Sequence, residues 1–102
     1  MNTLRESKPG SGKYSAHDSL RPVNFYCQAP SARSVRICGD FNHWSPLPMQ
    51  RRLDGWWWIS LLLCHGHHRY RFLVDGLPVL DSAATGIGRD DHGDPVSLVA
   101  VS

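Results

Sequence analysis

The sequence carries almost no net charge of either sign. Of its 102 residues, 11 are Lys or Arg and 9 are Asp or Glu, so the formal charge is +2. Much of the basic excess sits at the start (Arg5, Lys8 and Lys13 against Glu6), which leaves the rest close to neutral. A nucleic-acid module needs a clustered basic face, so this balance argues against nucleic acid as a partner. No apolar run approaches the length of a membrane span, which argues against a membrane protein. The N-terminus, MNTLRESKPGSGKYSAHDSL, lacks the apolar stretch of a signal peptide. Cysteine is scarce. Cys27, Cys38 and Cys64 make an odd count with no CxxC spacing, so a disulfide framework is not expected and reduced thiols in a cytoplasmic protein are. A sustained helical period is missing as well.

What is present reads as one globular domain. Hydrophobic residues make up 41% and charged residues 20%, a balance that can bury a core. The length suits one compact domain and leaves no room for a catalytic domain beside it. Residues 1–20 are rich in Ser, Gly, Lys and Pro and read as a flexible tail, with a domain over 21–102.

Short alternating segments then follow one another. Val23-Asn24-Phe25-Tyr26-Cys27-Gln28 and Ser34-Val35-Arg36-Ile37-Cys38-Gly39 alternate apolar and polar, as half-buried strands do. Asp40 to Gly55, with Pro46 and Pro48, reads as a long functional loop. Trp56 to Leu63 and His67 to Val74 flank the short turn Cys64-His65-Gly66 and read as a hairpin at the centre of the fold. Asp75-Gly76 is a second turn, before Leu77-Pro78-Val79-Leu80. Residues 81–95 read as a loop, and Val96 to Val101 as a last strand. Tyr70, Phe72, Val35, Ile37 and Trp57 are the expected core. The pattern predicts an all-β antiparallel sandwich.

Two segments carry more than periodicity. One is Gly39-Asp40-Phe41-Asn42-His43-Trp44, preceded by Ala29-Pro30-Ser31-Ala32 and Ser34-Val35. The other is Gly66-His67-His68-Arg69-Tyr70-Arg71-Phe72-Leu73-Val74-Asp75-Gly76. Together they resemble the family 48 carbohydrate-binding modules, which occur in the AMP-activated protein kinase beta subunit and at the N-terminus of isoamylases and glycogen branching enzymes. The resemblance covers about residues 22–101. It implies an immunoglobulin-like (early-set) β-sandwich that is not an enzyme, needs no cofactor, and binds α-1,4-glucan or glycogen on one face. A glucan-metabolising enzyme or a kinase is the associated protein it implies.

The residues make chemical sense of that reading. A sugar ring stacks its C–H face on an aromatic plane, and its hydroxyls pair with fixed donors and acceptors. In the family, the tryptophan matching Trp44 stacks on glucose and the basic residue matching Arg71 donates to hydroxyls. Asn42 and His92 are the further candidate sugar contacts. Pro78 stands where glycogen-binding members have a second tryptophan. Their final leucine, threonine and asparagine align with His92, Asp94 and Val96.

Other features compete. On a strand, Trp57 shares its face with Ile59, Leu61 and Leu63, whereas Trp56 and Trp58 share theirs with Ser60 and Leu62. That second face, extended by Leu73, reads either as packed under the N-terminal segment or as a docking surface, with a homodimer the simplest occupant. A protein-interaction module is therefore the alternative function. Cys64-His65-Gly66-His67-His68 has zinc-ligand types but poor spacing, and no metal site is expected there. No nucleophile motif, phosphate loop or carboxylate pair across a cleft is present.

Overall fold

A computed structural model of the chain describes residues 20–102. The tail expected over residues 1–20 lies, but for Leu20, outside the described residues. The described chain forms nine strands: β1 (Arg21–Gln28), β2 (Val35–Gly39), β3 (Leu47–Pro48), β4 (Gln50–Arg51), β5 (Trp56–Leu63), β6 (Gly66–Val74), β7 (Leu77–Val79), β8 (Gly86–Arg89) and β9 (Pro95–Val101). A short 3-10 turn covers Asp40–Asn42. The strands pair antiparallel in two sheets. The larger runs β3-β2-β6-β9-β8, with β7 also on β6, and the smaller runs β1-β5-β4. This is the antiparallel sandwich the alternation predicts. Among the described residues no helix is long and apolar enough to cross a membrane.

The core lies where the inner faces meet. Val35, Ile37, Tyr70 and Phe72 come from the larger sheet, and Phe25, Trp57 and Leu63 from the smaller; all are buried. Phe25 and Tyr70 meet edge to face with centroids 4.8 Å apart, which fastens one sheet to the other. Trp57 donates its indole N–H to the Ala29 carbonyl at 2.9 Å, so its one polar atom is satisfied inside.

The expected hairpin from Trp56 to Val74 is corrected. β5 pairs with β1 and β4, and β6 pairs with β2, β7 and β9, so the two strands lie in different sheets. Cys64-His65 carries the chain across the sandwich, and Gly66 turns it with a φ of 125°, a conformation open to glycine. Both strands own a buried apolar face, and facing sheets let those faces meet; pairing them side by side would leave both looking for a cover. The same correction separates Leu62 from Leu73, which sits on the other sheet opposite Arg36 and Pro78. The loop 40–55 is more ordered than expected, holding β3 and β4. The loop 81–95 contains β8, whose Gly86 and Gly88 pack under Leu98. The β6–β7 turn is as expected. Asp75 (φ 49°) and Gly76 (φ 84°) form a two-residue hairpin turn, and Asp75 Oδ1 also accepts the backbone N–H groups of Arg33 and Ser34.

Candidate functional site

The two sequence motifs meet in space. At Gly39 the chain leaves β2 so close to β6 that a Cβ would sit 2.6 Å from the Arg69 carbonyl oxygen. Asp40 then fastens the turn to β6, because its Oδ2 accepts the Arg69 backbone N–H at 3.0 Å and its Oδ1 lies 3.4 Å from His68 Nδ1. Phe41 packs against Phe25 and His68. Asn42 Oδ1 accepts the Gly39 N–H at 3.0 Å, and the Trp44 N–H returns to the Gly39 carbonyl at 2.8 Å. These bonds hold His43 and Trp44 in the left-handed region, at φ 55° and 59°. Non-glycine residues adopt it at a cost of about 1–2 kcal/mol each. With the backbone in this conformation, the Trp44 ring lies against Arg71 of β6.

Arg71 lies beneath it. Tyr70 and Phe72 face the core, so Arg71 faces out between them. Its guanidinium carbon stands 4.9 Å from the centre of the Trp44 ring. Its Nη2 donates to Asp90 Oδ2 at 2.7 Å, and the Arg71 side chain keeps 20% of its surface exposed against 6% for Asp90. Asp90 Oδ1 accepts the backbone N–H groups of His92 and Asp94, both at 2.9 Å. Burial pushes the Asp90 carboxyl up, yet the Asp94 amide, the Arg71 guanidinium and the His92 amide outweigh it and hold the group below its ordinary value. Asp90 is thus ionised at neutral pH and orients Arg71 by a charge-assisted bond. Cys38, opposite Arg71 across the β2–β6 pairing, is buried; desolvation raises its thiol and Arg71 partly opposes that.

A cleft of about 320 Å³ opens beside Arg71, walled by Pro78, Val79, Leu80, Asp94 and Pro95. The Val79–Leu80 wall is anchored through the next residue, since Asp81 Oδ2 accepts the Tyr70 hydroxyl at 2.6 Å and the Asp81 N–H donates to Ser97 Oγ. A larger hollow, about 630 Å³, lies where the sheets part beside β1, away from Trp44 and Arg71.

The four sequence candidates therefore take different places. Trp44 and Arg71 stand in contact. His92 is exposed on the turn that Asp90 organises. Asn42 turns its oxygen inward to hold the Trp44 loop, and its Nδ2 is buried without a partner. Asp90 was legible only as a turn residue, because the bond to Arg71 spans 19 positions and has no local signature. In the Cys64–His68 turn, His68 Nε2 lies 2.9 Å from the Cys64 carbonyl oxygen.

The fold is an antiparallel β-sandwich that carries Trp44 and Arg71 together on the outer face of its larger sheet. The family described as the glycogen recognition site of AMP-activated protein kinase matches residues 21–102, and the chain belongs to it. Similar curated proteins agree with that membership. A 1,4-alpha-glucan branching enzyme GlgB of Novosphingobium aromaticivorans is 40% identical over 63 residues, which is 59% of this chain and 9% of that protein. A 5'-AMP-activated protein kinase subunit beta-1 of Sus scrofa is 46% identical over 45 residues, 43% of this chain and 35% of that one. A second branching enzyme, from Rhodopseudomonas palustris, is 34% identical over 61 residues. The chain thus matches a small part of each branching enzyme and about a third of the kinase subunit.

Proposed function

We propose that the chain is a non-catalytic module that holds a glycogen-like α-1,4-glucan on the outer face of its larger sheet. Trp44 supplies the stacking surface, and Arg71, with His92 on the turn beside it, supplies hydrogen bonds. One observation carries the reading: the Arg71 guanidinium lies 4.9 Å from the Trp44 ring centre, beside the open cleft. The guanidinium lies over the indole, whose part-exposed surface is what a sugar would stack on. Asp90 fixes the donor before the ligand arrives, which lowers the ordering cost of binding. Asn42 contributes by holding the loop rather than by reaching the ligand.

The site is a reduced one. Pro78 lines the cleft where a second aromatic ring would complete the platform, and a pyrrolidine offers no π face. A single ring with a few hydrogen bonds gives a dissociation constant on the order of millimolar for short maltooligosaccharides, with glycogen held more firmly through repeated contacts. A glucan-metabolising enzyme or a kinase that acts on or near glycogen is the partner such a module would serve, in a cytoplasmic setting that suits three free cysteines. The homodimer expected from the paired tryptophans concerns the opposite sheet.

Native electrophoresis with and without glycogen in the gel tests this reading. Embedded glycogen is expected to retard the protein, and Trp44→Ala is expected to weaken the retardation at an unchanged melting temperature. A parent protein that migrates identically in both gels overturns it.

A further inference from the structure

The outer face of the smaller sheet has a composition that the site above leaves unused. Strand pairing sets Tyr26 against Trp58, Gln28 against Trp56, Asn24 against Ser60, and Gln50 against Trp58 on its other side. Because Phe25, Cys27 and Trp57 are buried in the core, these residues all point outward. Tyr26 is 44% exposed, Trp56 and Trp58 are partly exposed, and Asn24, Gln28, Gln50 and Ser60 are exposed. Among the described residues, no side-chain hydrogen bond or ion pair engages any of the seven.

Directly opposed positions in a sheet lie about 5 Å apart, and alternate positions on one strand about 7 Å apart. The result is a strip of aromatic rings edged by amides and a hydroxyl, with the Arg52–Asp54 ion pair at its Trp56 end. Carboxamides each offer both donors and an acceptor, and a hydroxyl offers both roles. A face built to meet another protein has an apolar centre and a polar rim. Here the amides sit directly beside the rings, and the exposed Leu62 lies at one end, paired with Pro22. Rings for C–H faces, with amides and the ion-paired Arg52 and Asp54 for hydroxyls, complement a sugar chain, whereas a second copy of the strip would set these polar groups against its rings.

We propose that Tyr26, Trp56 and Trp58 form a second platform for an α-linked glucose oligosaccharide, with Asn24, Gln28, Gln50 and Ser60 as its hydrogen-bonding edge. The ligand class rests on the function proposed above, but the residues are independent of Trp44 and Arg71. Since the outer faces of the two sheets point away from each other, one molecule engages two glucan chains at once, or two stretches of one particle. Retention on glycogen then exceeds what either face achieves alone, through effective concentration.

The test uses the full chain and the four indole N–H signals of a nitrogen-15 spectrum, titrated with maltoheptaose. Trp57 is the internal control, because its N–H is bonded to Ala29 in the core. The proposal expects Trp44 and Trp58 to shift with separate saturation curves while Trp57 stays fixed. In Trp44→Ala the Trp58 curve persists, and in Trp58→Ala or Tyr26→Ala the Trp44 curve persists. Should Trp44 respond while Trp56 and Trp58 do not, this proposal fails and the primary site stands. Should Trp58 respond without Trp44, the primary site fails and this one stands. Silence at every indole defeats both. A Trp58 signal that moves with protein concentration and ignores sugar identifies the face as a dimer interface and overturns the proposal.

Discussion

Replacing Tyr70 by Phe removes one oxygen from the centre of the molecule and changes nothing else in shape. The ring keeps its edge contacts with Phe25 and with Phe72, at 4.8 and 5.9 Å, so no cavity opens. What is lost is the 2.6 Å bond to Asp81 Oδ2. Hydrogen bonds to charged groups contribute about 1.5–3 kcal/mol, and partial rehydration of Asp81, which is only half-buried, reduces this to about 1–2 kcal/mol. For a domain of this size, that lowers the melting temperature by roughly 5–15 °C. The pH dependence has a definite sign. Burial, then the hydrogen bond and the charge of Asp81, push the Tyr70 phenol far above its ordinary value. The folded chain keeps the proton at pH values where the unfolded chain releases it, so this stabilisation is complete below about pH 10 and falls as pH rises beyond it. Thermal melts of parent and Tyr70→Phe across neutral and alkaline pH should therefore show a gap that narrows above pH 10. A variant melting within a degree of the parent at neutral pH would refute the reasoning.

Other expectations follow from single contacts. Asp90→Asn should lower the melting temperature at neutral pH and loosen Arg71. Because Asp90 is held below its ordinary pKa, its contribution exists at neutral pH and is lost in acid, so the parent and variant melts should converge as the pH falls below the ordinary carboxylate range. Gly39→Ala should cost about 1–3 kcal/mol in denaturant titration, since its Cβ has no room beside the Arg69 carbonyl and the Phe41 ring. Of the three thiols, Cys64 is exposed, whereas burial raises those of Cys27 and Cys38. A colorimetric disulfide reagent should titrate one thiol quickly in the native protein and the other two only after unfolding.

The alternation of single residues told most of the fold. Val35, Ile37, Trp57, Tyr70 and Phe72 are buried as their parity predicts, because a strand offers each side chain only two directions. Sheet membership was hidden. Cys64-His65-Gly66 reads identically as a hairpin turn and as a crossing between sheets, and the choice depends on which distant strands compete for β5 and β6. The short strands β3, β4 and β8 escaped because two to four residues hold too little pattern to show a period, and β3 and β8 also contain proline or glycine. At the site, Trp44 and Arg71 were visible through their motifs. Asp90 was not, since a carboxylate in a turn looks the same whether or not a guanidinium reaches it.

The central claim is that Trp44 and Arg71 grip one glucan chain together. Calorimetric titration with maltoheptaose, in a Trp58→Ala background so that one face alone is read, tests it most directly. Trp44→Ala and Arg71→Ala are each expected to weaken binding about tenfold or more, equivalent to about 1.4 kcal/mol, while Tm stays within a few degrees of the parent. Binding as tight as the parent's in both variants would contradict the account.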